Sequence, residues 1–153
     1  AGLKDANTTE NDPVTSNPVI HDIPEKAELM TIKSRGVAMR LGGWDFKVKE
    51  NTLLNNIYDK YNLYKDKKNK IASVRHRHRF EFNNDYISVM EDKGLMISAM
   101  SVKGNFVDWV ELPVQVHPFF IGTQGHPEYS SRPLKPHPLF LEFLKACYNI
   151  QKV

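Results

Sequence analysis

From Val74 to Phe82 the sequence VRHRHRFEF alternates strictly, with Val74, His76, His78, Phe80 and Phe82 on one side and Arg75, Arg77, Arg79 and Glu81 on the other. A period of two marks an extended strand, because successive side chains leave opposite faces of the backbone. One of its faces must be covered by another layer, which points to a sheet packed against helices. The other face carries three arginines that repel one another unless anions answer them. Their planar forks suit carboxylates and phosphates gripped at two points. On residue chemistry alone the pattern fits phosphate binding, structural ion pairs and recognition of a substrate carboxylate equally well, with Glu81 available to neutralise part of the charge. His76 and His78 would need a third ligand to hold a metal, and Glu81 projects from the other face. Packed or hydrogen-bonded histidines are therefore expected.

The neighbouring elements follow from periodicity and turn chemistry. Leu53, Leu54, Ile57, Tyr58 and Tyr61 share one helical face, with Asn51 as the expected N-cap. Residues 18–24, PVIHDIP, predict one short edge strand between two prolines. Residues 30–48 predict two short strands that break at Gly36 and at Gly42–Gly43. A short helix is expected from Asp85 to Gly94, then a hairpin turning at Lys103, Gly104 and Asn105. A strand at 118–125 and a final helix opening near Pro138 complete the order, the helix carrying an apolar stripe of Phe140, Phe143, Leu144 and Cys147. Residues 1–17 show neither period and read as loop. The expected architecture is mixed α/β, a mixed sheet with hairpins and about three helices, and too few strands alternate with helices to close a doubly wound sheet by themselves.

A chain of 153 residues, 41% hydrophobic and 25% charged, has the size and composition of one globular domain. Its net charge of +3 is mild, and its densest basic run, KDKKNK at 65–70, reads as a solvated loop, so a dedicated nucleic-acid role is not expected. No apolar stretch reaches the ~18 residues of a membrane span. The single cysteine, Cys147, allows no internal disulfide, and a reducing, cytoplasmic setting is expected. The chain opens on Ala1 in a polar stretch, from which an upstream segment is expected.

In IGTQGHPEYSS, residues 121–131, a strand ends in glycine and a histidine and a glutamate follow two positions apart. In extended backbone that spacing puts both side chains on one side, ~7 Å apart between Cα atoms, and Pro127 narrows the geometry. A carboxylate bonded to one ring nitrogen sets the tautomer of the histidine and leaves the other nitrogen to take a proton from a nucleophile. A structural hydrogen bond is the alternative reading of the same pair. Cys147 is a poor partner, being expected to lie buried in its helical stripe. Ser130 and Ser131 are too close in sequence, and there is no Gly-x-Ser-x-Gly elbow. The pair reads as half of a site.

RHRHRFEFN, HPFFIGTQGHPEYSSRPLKPHPLF, MRLG and LKDANTTE together resemble the glutaminase domain of the CTP synthase family, within the class I glutamine amidotransferases, from about Leu3 to Ala146. The resemblance implies that residues 1–153 are the C-terminal part of a flavodoxin-like amidotransferase domain. It makes His126 the base and Glu128 its orienting acid in a Cys-His-Glu triad whose cysteine lies upstream. Arg79 and Glu10 fall where the family holds the amino-acid end of glutamine. Arg40 falls where it couples to a GTP activator. The resemblance further implies a synthase domain that binds ATP and magnesium and aminates UTP to CTP, a homotetramer, and no cofactor within these residues. Ala38, Gly125 and Asn11 depart from the family's threonine and two aromatics. The glycine is expected to loosen His126. An inactive regulatory module of the same fold and a different glutamine-dependent amidotransferase are the alternatives.

Overall fold

A computed structural model describes residues 1–22 and 39–150. Two sheets meet at a corner. The larger is assembled from β3 (Arg40–Val48), β4 (Ile71–His78), β6 (Met96–Ser101), β7 (Val107–Glu111) and β8 (Ile121–Thr123), in the spatial order β4, β3, β6, β7, β8. All of its pairings are antiparallel. The smaller places β2 (Asn17–Asp22) between β1 (Ala6–Thr8), which is parallel to it, and β5 (Phe80–Phe82), which is antiparallel. The helices are α1 (Leu53–Lys60), α2 (Ile87–Asp92) and α3 (Pro138–Ile150).

The core lies between the large sheet and α1. Phe46, Ala72, Val74, Ala99 and Trp109 meet Leu54, Ile57 and Tyr58 there, with Leu139 of α3 at the margin. Trp109 and Phe46 are fully buried, their rings 5.8 Å apart and tilted. The start of α1 is satisfied from two directions. Thr52 accepts the Asn55 amide at 3.0 Å. Buried Glu111, reaching across from β7, accepts the amides of Leu53 and Leu54 at 2.6 and 3.1 Å. A carboxylate on the first free N–H groups of a helix meets both orphan donors and the positive end of the dipole.

Several expectations are corrected. The N-cap is Thr52, while Asn51 turns into the left-handed region at φ 61. The predicted edge strand is the middle strand of the small sheet, because residues 6–8, read as loop, pair with it. Gly42–Gly43 does not break the chain. β3 runs through it, each glycine paired across to His76 or Arg75. The break expected at Gly36, and Ala38, lie outside the described residues. The hairpin turns as expected, with Gly104 and Asn105 at positive φ.

Cys147 is exposed, and so are Phe140, Phe143 and Leu144, at 37%, 47% and 61%. The face of α3 turned inward is instead Leu139, Glu142 and Ala146, spaced i, i+3, i+7. Glu142 sets that orientation by accepting from Tyr61 at 2.6 Å and from Lys60 and Lys145. No helix among the described residues is long and apolar enough to cross a membrane.

Candidate active site

β8 delivers the chain to Gly125, where the backbone presses against the side of Val74 so closely that an added Cβ would overlap its methyl groups. The His126 amide then donates to the Arg75 carbonyl of β4 at 2.8 Å. Buried Pro127 opens a 3-10 turn over Pro127–Ser130, and this turn brings Glu128 back under the ring. The missing side chain at Gly125 leaves the room in which the turn docks on β4.

His126 Nδ1 lies 2.7 Å from Glu128 Oε1. Partial burial opposes ionisation of Glu128, but its own backbone N–H and the His126 ring outweigh it and hold the carboxyl below its usual range. An ionised carboxylate only accepts, so Nδ1 carries the hydrogen, and in a neutral ring that leaves the lone pair on Nε2. The His126 side chain is 35% exposed, and Nε2 makes no hydrogen bond among the described residues. The pair is thus formed and reachable. Tyr129 lines the other side of the imidazole, ring to ring at 5.4 Å, and the Arg75 guanidinium sits 5.9 Å over the tyrosine.

Beside this turn opens a cleft of about 820 Å³ lined by Arg75, Arg77, Arg79, Leu41 and Tyr129. Arg75 and Arg77 are exposed. Arg79 is half-buried, and its buried Nε finds no acceptor among the described residues. A buried guanidinium N–H without a partner is costly. Glu10 is exposed in the turn after β1. β1 runs parallel to β2, with Thr8 opposite Ile20, and Asp22 of β2 pairs with Phe80, the residue after Arg79. This register brings Glu10 and Arg79 to the same end of the small sheet.

The strict alternation stops at Arg79, where the backbone bends between β4 and β5. The bend turns Glu81 inward, onto the side of His76 and His78, contrary to the expected opposite face. Glu81 is fully buried and accepts from Arg40 Nη1 at 3.1 and 3.3 Å, so it does not neutralise the arginine face. Arg40 is itself fully buried between the rings of Trp44 and Phe106, and its Nη1 also meets Asp108 Oδ1 at 2.8 Å. Arg40 therefore offers nothing to an outside effector in this structure. Burial pushes Glu81 up to about 7 against the pull of Arg40, and burial likewise raises Asp108.

The two histidines join this cluster. Arg40 Nη2 lies 3.2 Å from His76 Nε2, His76 Nδ1 lies 2.8 Å from His78 Nε2, and His78 Nδ1 lies 2.9 Å from the Phe80 carbonyl. Burial, then the Arg40 charge, lowers His76 to about 2 and His78 to about 4. Among the described residues no three His, Cys, Asp or Glu side chains are placed so that they could hold a metal ion. Asp108 was missed in the sequence. An acid set between the apolar Val107 and Trp109 of the strand VDWVE is the signal that could have revealed it.

The basic run at 65–70 is largely answered by acids. Lys65 pairs with Asp45 at 2.8 Å, and Lys70 and Lys67 meet Asp59 at 2.7 and 3.6 Å.

The family model for glutamine amidotransferase class-I matches residues 28–146. The chain belongs to that family. Within it the chain is similar to CTP synthases. It is 46% identical over 151 residues to the CTP synthase of Caldanaerobacter subterraneus subsp. tengcongensis, covering 99% of this chain and 26% of that protein. It is 42% identical over 147 residues to that of Thermobifida fusca, covering 95% and 25%. The Trypanosoma brucei CTPS glutaminase domain with bound acivicin superposes with a TM-score of 0.77 at 28% identity, covering 97% of this chain and 52% of that one. The chain thus spans about a quarter of the length of the curated relatives it matches.

Proposed function

We propose that this chain carries the acid-base half of a glutaminase that releases ammonia from glutamine for the ATP-dependent amination of UTP to CTP. The observation that carries the reading is the 2.7 Å His126–Glu128 pair, reachable from solvent beside a cleft lined by arginines. Similarity to CTP synthases supplies the acceptor chemistry.

The nucleophile is a cysteine outside these residues. Cys147 is exposed on α3, and about 14 Å of helix separates it from Pro138. Nε2 of His126 takes the thiol proton and the thiolate attacks the side-chain amide carbon of glutamine. Glu128 stabilises the imidazolium so formed, which then returns the proton to the departing nitrogen, and ammonia leaves behind a thioester. His126 next deprotonates water, which hydrolyses the thioester to glutamate and frees the thiol. Arg79, in the lining of the cleft, takes the glutamine carboxylate, and Glu10 lies on the side of the ammonium.

ATP, magnesium and UTP belong to a synthase domain of the same enzyme, GTP acts as activator, and the assembly is a cytoplasmic homotetramer. No cofactor is assigned to these 153 residues. The full-length protein, given ATP, magnesium and UTP, should make CTP with either glutamine or ammonium chloride as nitrogen source. Glutamine hydrolysis without CTP formation would assign a different acceptor, and no turnover of glutamine would leave an inactive module.

A further inference from the structure

Arg79 occupies the corner between the two sheets. His78 is the last residue of β4 paired in the large sheet, opposite Arg40, and Phe80 is the first residue of β5 paired in the small one, opposite Asp22. His126 belongs to the large sheet through Arg75, whereas Glu10 belongs to the small sheet through β1. Whatever fixes the corner also fixes how far the base stands from the groups that would hold the amino-acid end of glutamine.

The hydrogen bonds across that corner can have only one direction. A guanidinium has no acceptor, so Arg40 Nη2 donates and His76 Nε2 accepts. His76 then carries its hydrogen on Nδ1 and donates to His78 Nε2. His78 in turn carries its hydrogen on Nδ1 and donates to the Phe80 carbonyl, which can only accept. The chain of donors runs from Arg40 in the large sheet to the backbone of the small sheet, passing over Arg79. Arg40 makes a second crossing directly, to Glu81 of β5.

We propose that His78 is a positioning residue for glutamine: its Nδ1–H bond to the Phe80 carbonyl holds the bend that presents Arg79. The inference rests on the glutaminase reading, because it assigns to Arg79 a substrate contact.

The test uses the full-length enzyme with two substitutions that separate the ring nitrogens. His78→Asn places an amide N–H where Nδ1 stands, and His78→Gln reaches the position of Nε2 without a donor for Phe80. His78→Gln should raise the KM for glutamine about tenfold, the worth of one well-placed hydrogen bond. It should leave kcat and ammonia-dependent CTP synthesis unchanged, and His78→Asn should stay within about twofold of wild type. An unchanged KM in His78→Gln overturns the proposal. So does an equal rise in both variants, or a loss that extends to the ammonia reaction, since either describes a general support of the fold. If the wild-type enzyme itself does not hydrolyse glutamine, the functional reading fails first, and the two failures are told apart by that control.

Discussion

His126 and Arg75 are joined through their backbones: the amide of the one donates to the carbonyl of the other at 2.8 Å. The base, in the turn that follows β8, is thereby docked on β4, the strand that displays Arg75 and Arg77. What permits the bond is Gly125, the residue just before, lying flat against Val74.

That contact can be probed directly. Gly125→Ala should cost about 1–3 kcal/mol of stability, because the new methyl group overlaps Val74 and one of the two must move. Adding Val74→Ala should return part of the loss, making the double variant more stable than Gly125→Ala alone. Urea denaturation of the three proteins decides it. A Gly125→Ala variant as stable as wild type, or a double variant less stable than both single ones, would refute the close approach.

Arg79 lines the cleft beside the turn that carries His126. Arg79→Ala should raise the KM for glutamine by roughly tenfold to a hundredfold, the usual range for a hydrogen bond to a charged group. Ammonia-dependent synthesis should be untouched. Initial rates against glutamine concentration measure this, and an unaltered KM would remove Arg79 from the substrate site.

His78 should also leave a mark on acid stability. Folded, it stays neutral down to about pH 4, while in the unfolded chain it protonates near its ordinary value of 6.5. Between those values the unfolded state holds the extra proton, so His78 withdraws stability as pH falls. Glu81 works in the opposite sense: burial raises it from 4.5 to about 7 against the pull of Arg40, and acidification through that window favours the folded state. Comparing wild type with His78→Asn isolates the histidine. The variant should gain on wild type as pH falls from 6.5 to 4.5, by at most about 1.4 kcal/mol per pH unit. Denaturation curves at several pH values give the difference, and a constant gap across that range would contradict a buried, neutral His78.

Much of this was legible in sequence where local chemistry decides it. The face of α1, the Gly104–Asn105 hairpin and the meeting of His126 with Glu128 all follow from spacing of a few residues. Even the misplaced cap was off by one position, since Asn51 and Thr52 are both cap formers and only the left-handed turn at Asn51 separates them. What stayed hidden depends on partners distant in sequence. Nothing near Glu81 announces that Arg40 will draw it inward, and the alternation hides a bend at Arg79 that exists because the strand serves two sheets. The stripe on α3 misled because Glu142, a charged residue, faces Tyr61 and leaves the neighbouring phenylalanines outside.

The central claim is that His126 acts on glutamine and has no part in the amination of UTP. The most direct measurement is the rate of CTP formation by the full-length His126→Ala enzyme, once with glutamine and once with ammonium chloride. Glutamine-dependent synthesis should fall by at least about a hundredfold, as for loss of a general base, while the ammonia rate stays at the wild-type value. Retained glutamine-dependent synthesis, or equal loss of both rates, would contradict the account.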